Sequence, residues 1–220
     1  MASEPKPGLS QGWSTEDSAE LYQVGAWGKG YFGINAAGHV VVRPDTTPAR
    51  EIDLFEVVQG LRARDLTTPV VVRFSDILAH RLRHLADAFA QAIAENEFGN
   101  AYAAVFPIKV NQQRLVVEEV FRYGAEHGFG LEVGSKPELL AVLGMTPDAN
   151  GRLIVCNGFK DDEYIELVML AKKIGRQIIP IVEKYSELDL IMKHAERLGV
   201  RPVIGIRAKL SARGSGKWEE

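Results

Sequence analysis

The chain has 220 residues, of which 46% are hydrophobic and 25% are charged, and this composition is ordinary for a globular protein with a sizeable core. A formal net charge of −3 excludes a basic surface for nucleic acid, and no apolar run reaches the roughly 20 residues that span a bilayer. Cys156 is the only cysteine, which excludes an intrachain disulfide and is typical of a reducing compartment. The first residues lack the features of a signal peptide, so we expect a cytoplasmic protein.

Composition divides the chain into three predicted segments. Residues 1–12 are rich in Pro, Gly and Ser and are predicted to be disordered. Residues 13–68 form a predicted β-containing segment, in which HVVVRP (39–44) reads as a short strand ended by Pro44. Residues 69–220 alternate apolar runs with helical patterns and form the main predicted domain.

Six apolar runs in this main domain predict buried strands. They are VVVRF (70–74), YAAVFPI (102–108), FGLEV (129–133), LIVCN (153–157), IIPIV (178–182) and VIGIR (203–207). Continuous runs rich in Val and Ile are typical of a parallel sheet that is covered on both faces. The later strands recur about every 25 residues, with helical patterns between them, which indicates a repeated βα unit.

Residues that begin and end helices mark the boundaries of these units. A helix is predicted to follow an N-cap at Ser75. Ser135 with Glu138, and Ser186 with Asp189, have the spacing of capping boxes. Four glycines are predicted to end helices: Gly128, Gly144, Gly175 and Gly199.

Polar or charged residues end five consecutive predicted strands. They are Lys109 with Asn111, Glu132, Asn157, Glu183 with Lys184, and Arg207 with Lys209. In a closed (β/α)₈ barrel such strand ends converge on one mouth, whereas an open sheet spreads them along an edge. The pattern therefore favours an incomplete parallel (β/α)₈ barrel, although strand ends are also polar simply because they meet loops and water.

Three other motifs lead to no site. GSGK (214–217) lacks the preceding glycine and the following Ser or Thr of a phosphate-binding loop. His80 and His84 are spaced like zinc ligands, but no glutamate lies between them, and a solvated helix face explains them better. Cys156 lies inside an apolar strand and is predicted to be a core residue rather than a nucleophile.

Lys109 is the strongest candidate for chemistry. The apolar run YAAVFPI leads directly into it, so partial desolvation of its ammonium group would lower the pKa toward neutrality. A neutral lysine amine is a nucleophile that forms a Schiff base with an aldehyde. The alternative is a structural lysine that pairs with a carboxylate such as Glu132.

Longer segments of the chain carry a resemblance to a known family. FPIKVNQQ (106–113), GLEVGSKPEL (130–139), GIRAKLSARGSGKW (205–218) and the stretch 13–44 resemble the biosynthetic arginine decarboxylases. Members of this family are pyridoxal-phosphate enzymes of the alanine-racemase-like fold, related to the ornithine and diaminopimelate decarboxylases. Phe106 and Val133 replace the Tyr and Ala that are more common in the family, and both changes are conservative.

The resemblance implies roles for four residues. Lys109 matches the lysine that holds pyridoxal phosphate, and Glu132 matches an acidic residue beside the cofactor. Ser135 follows at the start of a helix, and Arg207 matches a strand-end arginine that borders the cofactor pocket. Family members commonly also require Mg²⁺, for which no ligands are evident.

The activity that the resemblance implies is conversion of L-arginine to agmatine and CO₂ in polyamine biosynthesis. Relatives are far longer, so we expect the chain to be an N-terminal portion that is inactive alone and homo-oligomeric in its full-length form. Alternatives are a decarboxylase for ornithine or diaminopimelate, a racemase, or a non-catalytic barrel that binds pyridoxal phosphate.

Overall fold

The computed structural model describes residues 12–146 and 151–208, and this part of the chain divides between Arg81 and Leu82 into two compact units. The boundary predicted between residues 68 and 69 stays a prediction. Residues 1–11 of the segment predicted to be disordered, and the GSGK motif, lie outside the described residues.

The first unit is built around a small antiparallel sheet. Its strands β1 (Phe32–Ile34), β2 (Val40–Val42) and β3 (Ile52–Asp53) pair in that order, which confirms the strand predicted in HVVVRP. Val41 and Val42 are completely buried on the central strand. Three helices accompany the sheet: α1 (Thr15–Leu21), α2 (Val24–Gly28) and α3 (Leu54–Arg62).

A long helix, α4 (Ser75–Glu95), confirms the helical pattern predicted after residue 74. Ser75 is the first residue of this helix, so its predicted position as N-cap is wrong. The strand predicted at 70–74 is also wrong, because a strand needs a hydrogen-bonded neighbour and no described strand pairs with this run. Val71 is consequently 82% exposed.

The second unit contains a five-stranded, all-parallel sheet in the order β4-β5-β6-β7-β8. Its strands are β4 (Val105–Pro107), β5 (Gly130–Val133), β6 (Ile154–Cys156), β7 (Ile178–Val182) and β8 (Gly205–Ile206). The helices between them are α5 (Arg114–Tyr123), α6 (Lys136–Met145), α7 (Asp162–Lys173) and α8 (Tyr185–Leu198), with 3₁₀ turns at Ile108–Val110 and Gly124–His127. The predicted α/β class and five of the six predicted strands are confirmed, and the described strands do not close into a barrel.

The core of this unit lies between the sheet and its helices. In parallel strands, residues in register share a face, and Leu131 is in register with Ile154, which is in register with Ile178. All three belong to the buried cluster that includes Val142 and Ile165 from the helices. Burial of one such side chain contributes about 1.5–3 kcal/mol, which fixes which face of each strand meets the helices.

Several element ends differ from the sequence prediction. The paired part of the second predicted strand stops at Pro107, which has no N–H to donate to a ladder, and a 3₁₀ turn follows. Gly144 lies inside α6 rather than at its end, whereas Gly128, Gly175 and Gly199 have the positive φ predicted for helix ends. Ser186 is also inside its helix.

Candidate functional site

The face of the sheet opposite the helices carries Glu132 near the carboxyl end of its strand. Pro107 is in register with Glu132, and Glu132 is in register with Val155, so these residues share that face. Because side chains alternate along a strand, Asn157 lies on the same face two residues after Val155. The ends of β5 and β6 therefore bring Glu132 and Asn157 together, whereas the convergence of all five strand ends on one mouth stays a prediction.

Glu132 is a buried carboxylate on this face, only 4% exposed. Its Oε1 accepts a hydrogen bond of 2.8 Å from Nδ2 of Asn157 on the neighbouring strand. A buried carboxylate that lacked such a donor would be strongly destabilising. The amide of Asn157 therefore holds Glu132 in place and sets the direction of its carboxylate.

Lys109 lies in the 3₁₀ turn that follows β4, and its side chain is exposed. The desolvation predicted from the preceding apolar run is therefore wrong for the chain described here. Ala104 and Ile108 of the run are buried. The strand, however, ends at Pro107, and Lys109 lies in the turn that follows, where its side chain is exposed. Its exposed amine is accessible to a ligand that binds at the carboxyl ends of the strands.

Glu138 ties the loop after Lys109 to the next βα loop. Its Oε1 accepts a bond of 2.8 Å from Nε2 of Gln112, and its Oε2 accepts a bond of 2.6 Å from the backbone N–H of Gly134. Ser135 is the N-cap of α6, as predicted, and its Oγ accepts from the N–H of Glu138 at 3.4 Å. The capping box differs from the predicted form, because the glutamate bonds Gly134 instead of the cap residue.

Arg207 follows β8 and is held against the end of β7. Its backbone N–H donates to the carbonyl oxygen of Val182 at 3.2 Å, which extends the ladder beyond Ile206. Its Nη1 lies 3.4 Å from Oε2 of Glu183, whose other oxygen, Oε1, accepts 2.6 Å from the N–H of Gly158. The side chain of Arg207 is 57% exposed, so its guanidinium is accessible to solvent at the carboxyl ends of β7 and β8, which we call the open end of the candidate site.

A buried ion pair beneath these loops was missed by sequence reasoning. Lys160 Nζ donates to the carbonyl oxygens of Gly158 and Ile181 at 2.6 and 2.5 Å, and lies 3.4 Å from Oε2 of Glu187. The lysine side chain is completely buried and that of the glutamate is 2% exposed. Lys160 sits in a polar loop where nothing in the local pattern predicts burial.

Glu187 is the hub of this arrangement. Its Oε1 accepts from the N–H of Lys160 and its Oε2 from the N–H of Glu183, both at 2.9 Å. Burial opposes ionisation of Glu187, but these N–H donors and the charge of Lys160 outweigh it and hold its pKa below the ordinary value. The capping box predicted at Ser186 is wrong, because Lys184 is the N-cap of α8. Glu187, in the first turn of the helix, instead accepts the backbone N–H of Glu183, the residue before the N-cap.

Gly158 makes the close packing of two loops possible. Its φ of +77° lies in the left-handed region, and a Cβ atom there would come within 2.2 Å of the carbonyl oxygen of Gly134. Any larger residue would push apart the loops that carry Gly134 and Gly158.

Cys156 faces the helices and is completely buried, which confirms its predicted place in the core. Burial raises the pKa of its thiol to about 12, which leaves it protonated and unreactive at neutral pH.

The four predicted site residues lie at strand ends of one sheet, but each has separate contacts. In the described part of the chain none of them bonds another: Glu132 bonds Asn157, Arg207 pairs with Glu183, and Ser135 caps a helix. Residues 12–146 and 151–208 contain no group of three or more His, Cys, Asp and Glu side chains that could hold a metal ion. Over the same residues, every helix is too short or too polar to cross a membrane.

Comparison with known proteins gives relatives that match nearly the whole chain. It is 51% identical over 208 residues to a biosynthetic arginine decarboxylase of Gloeobacter violaceus, covering 94% of this chain and 32% of the relative. It is also 51% identical over 211 residues to one of Rhodopirellula baltica, covering 96% and 31% respectively. The chain thus spans about a third of the length of these relatives.

A solved structure shows the same fold. The biosynthetic arginine decarboxylase of Campylobacter jejuni superposes with a TM-score of 0.77 at 28% sequence identity, over 86% of this chain and 32% of the other. The family model described as "Pyridoxal-dependent decarboxylase, pyridoxal binding domain" matches residues 82–218, which include every candidate residue above. The chain therefore belongs to the family of pyridoxal-dependent decarboxylases, and residues 82–218 match the pyridoxal-binding domain of that family.

Proposed function

We propose that this chain supplies the lysine-bearing part of the pyridoxal-phosphate site in an arginine decarboxylase that forms agmatine and CO₂ for polyamine biosynthesis. The observation that carries the proposal is the exposed Lys109, in the turn after β4, inside the segment that matches the pyridoxal-binding domain. The choice of arginine rests on the relatives, which are biosynthetic arginine decarboxylases.

The donor set of the chain suits this cofactor. Lys109 offers an exposed primary amine to an aldehyde, and Glu132 and Arg207 place an anion and a cation at the ends of other strands of the same sheet. Ser135 begins a helix of ten residues at the same end, and a helix N-terminus favours an anionic group. In this proposal all four residues border the cofactor, and Lys109 bonds it covalently.

Three of these residues have distinct tasks in the proposed reaction. Lys109 Nζ would hold the cofactor through its amine, and the same amine, when free, would carry a proton at that place. Glu132, fixed by Asn157, supplies a buried negative charge, and Arg207 supplies a positive charge near the open end. When bound, pyridoxal phosphate accepts the electron pair that is left as CO₂ departs.

Homo-oligomeric assembly, a cytoplasmic location and a requirement for Mg²⁺ stay predictions.

The test is decarboxylation by the full-length gene product with pyridoxal phosphate, comparing arginine, ornithine and diaminopimelate as substrates. We expect agmatine from arginine, at a kcat/KM at least about tenfold above that for the other two. Preference for ornithine or diaminopimelate would contradict the substrate assignment, and cofactor binding without turnover would favour a non-catalytic barrel.

The matched pair of variants is Lys109→Ala and Lys184→Ala. Lys184 is also an exposed lysine two positions after a strand, but its Nζ lies 3.9 Å from the centre of the Phe159 ring, and it has no role in the proposed site. We expect only Lys109→Ala to lose activity, and equal loss in both variants would contradict the role of Lys109.

A further inference from the structure

Glu183 is the one charged side chain of the described strand ends that touches both a predicted site residue and a neighbouring loop. Its Oε2 lies 3.4 Å from Nη1 of Arg207, while its Oε1 accepts from the N–H of Gly158 at 2.6 Å. It is only 10% exposed, whereas Arg207 is 57% exposed. The carboxylate is therefore the fixed member of the pair and the guanidinium the member that needs orienting.

The backbone of Glu183 is fixed as firmly as its side chain. Its N–H donates to Oε2 of Glu187 at 2.9 Å, and Glu187 is in turn held by the side chain and backbone of the buried Lys160. Lys160 Nζ donates to the carbonyl oxygen of Ile181, near the end of β7, at 2.5 Å. The ion pair thus clamps the residues on either side of the point where β7 ends.

Such a clamp is a poor means of adding stability alone. Removing two charges from water opposes folding, and well-packed apolar residues in place of a buried ion pair often leave a protein equally stable. Lys160 and Glu187, however, spend nearly all their bonding capacity on backbone groups of Gly158, Ile181 and Glu183. These bonds fix the backbone of the two loops, which indicates a positioning role.

We propose that Glu183 is a positioning residue that orients the guanidinium of Arg207 at the open end of the site, with the buried Lys160–Glu187 pair holding Glu183 in place. The inference rests on the proposed function, in which Arg207 borders the cofactor. Glu183 acts through Arg207, and itself touches neither cofactor nor substrate.

A double-mutant cycle between Glu183 and Arg207 tests this, using the full-length gene product. The measurements are the dissociation constant for pyridoxal phosphate, and kcat and KM for arginine. We expect Glu183→Ala to weaken cofactor binding or kcat/KM by on the order of tenfold, because a displaced positioning group misaligns the site. If Glu183 acts through Arg207, adding Glu183→Ala to Arg207→Ala changes nothing further.

A second variant covers the case in which Glu183→Ala does not fold. Glu183→Gln keeps an oxygen for the N–H of Gly158 and removes the charge that faces Arg207, so it is expected to fold and to lose at least about threefold in the same quantities. It replaces Glu183→Ala in the cycle. Additive losses in the cycle, or a Glu183→Gln variant equal to wild type, overturn the inference.

Glu166→Ala is the matched control. Glu166 pairs with Arg197 between α7 and α8, which gives another Glu–Arg pair across neighbouring βα units, but in the helix layer. It is expected to leave cofactor binding and kinetics at wild-type values, and a loss equal to that of Glu183→Ala overturns the inference. A wild-type protein that binds no pyridoxal phosphate overturns the proposed function and this inference with it. A wild-type protein that binds it, with unaffected Glu183 variants, overturns the inference alone.

Discussion

Two lysines follow strands of the same sheet, and their surroundings are opposite. Lys109, after β4, is exposed in a 3₁₀ turn. Lys160, in the loop after β6, is completely buried, donates to two carbonyl oxygens and lies against Glu187. The first has its amine available to a ligand, whereas the second uses its amine to hold the protein together.

The contrast shows that burial alone does not identify a reactive lysine. Burial without partners favours the neutral, nucleophilic form of an amine. Hydrogen-bond acceptors and a carboxylate around a buried amine favour its charged form, which is not a nucleophile. Lys109 is exposed in the described part of the chain, and the reactivity proposed for it therefore does not come from burial. Lys160 is buried and is expected to be chemically silent.

The largest expected effect separates chemistry from stability at Lys109. Lys109→Ala should lower kcat/KM for arginine by on the order of ten-thousandfold, because no amine remains to hold the cofactor or carry the proton. Its free energy of unfolding should change by less than about 0.5 kcal/mol, since an exposed side chain is lost. Steady-state kinetics and chemical denaturation of the same preparation measure both, and a large stability loss would break the contrast.

Lys160→Met should behave in the opposite way. Removing the cation leaves the carboxylate of Glu187 buried without its charged partner, which is expected to lower the free energy of unfolding by about 3–5 kcal/mol. Urea denaturation of the variant and of Lys136→Met provides the comparison. Lys136 also pairs with carboxylates, Asp161 and Glu163, but its pairs are solvent-exposed and should contribute about 1 kcal/mol or less. Equal effects of the two variants would show that the buried pair is not special.

The acid sensitivity of the buried pair is a smaller effect with a definite sign. The pKa of Glu187 is lowered in the folded chain, so its ionised form contributes stability above its ordinary value of 4.5, and this contribution is lost as the pH falls further through the folded pKa. Glu187→Gln should be less stable than wild type at neutral pH, and its stability should fall less steeply below pH 4.5. Denaturation curves measured from neutral to acid pH test this, and parallel curves would contradict it.

The smallest expected effect concerns Ser135. Ser135→Ala removes the N-cap of α6 and should lower the free energy of unfolding by about 1 kcal/mol, or somewhat less because the bond is 3.4 Å long. Ser135→Asp, which keeps an N-cap acceptor, should restore most of this stability. If the start of α6 borders an anionic group of the cofactor, Ser135→Asp should restore the stability but weaken the cofactor affinity, because its carboxylate repels that group.

Sequence patterns sufficed for the sheet but not for the buried loop network. Continuous apolar runs predicted β5, β6 and β7, because such runs are typical of parallel strands that are buried on both faces. The run 70–74 has the same composition but no paired strand, since pairing depends on a partner that the local sequence does not specify. Positive-φ glycines were predicted correctly where a helix truly stops, as at Gly199.

The site was only partly predictable for the same reason. Lys109 and Glu132 were predicted as site residues from their positions at strand ends and from family motifs, and these roles stay predictions, but the sequence implied the wrong environment for Lys109. Lys160 and Glu187 were missed because they lie 27 positions apart, in adjacent βα units, and only the packing of those units brings them together. Charged residues in loops are usually solvated, so no local pattern marks the exception.

The most direct test of the role of Lys109 is chemical trapping. The full-length gene product is incubated with pyridoxal phosphate, reduced with borohydride, digested and mapped by mass spectrometry. We predict a phosphopyridoxyl group on the peptide that contains Lys109 and none on the peptide that contains Lys160. A label confined to another lysine, or a cofactor that dissociates unreduced from the wild-type protein, would contradict the account.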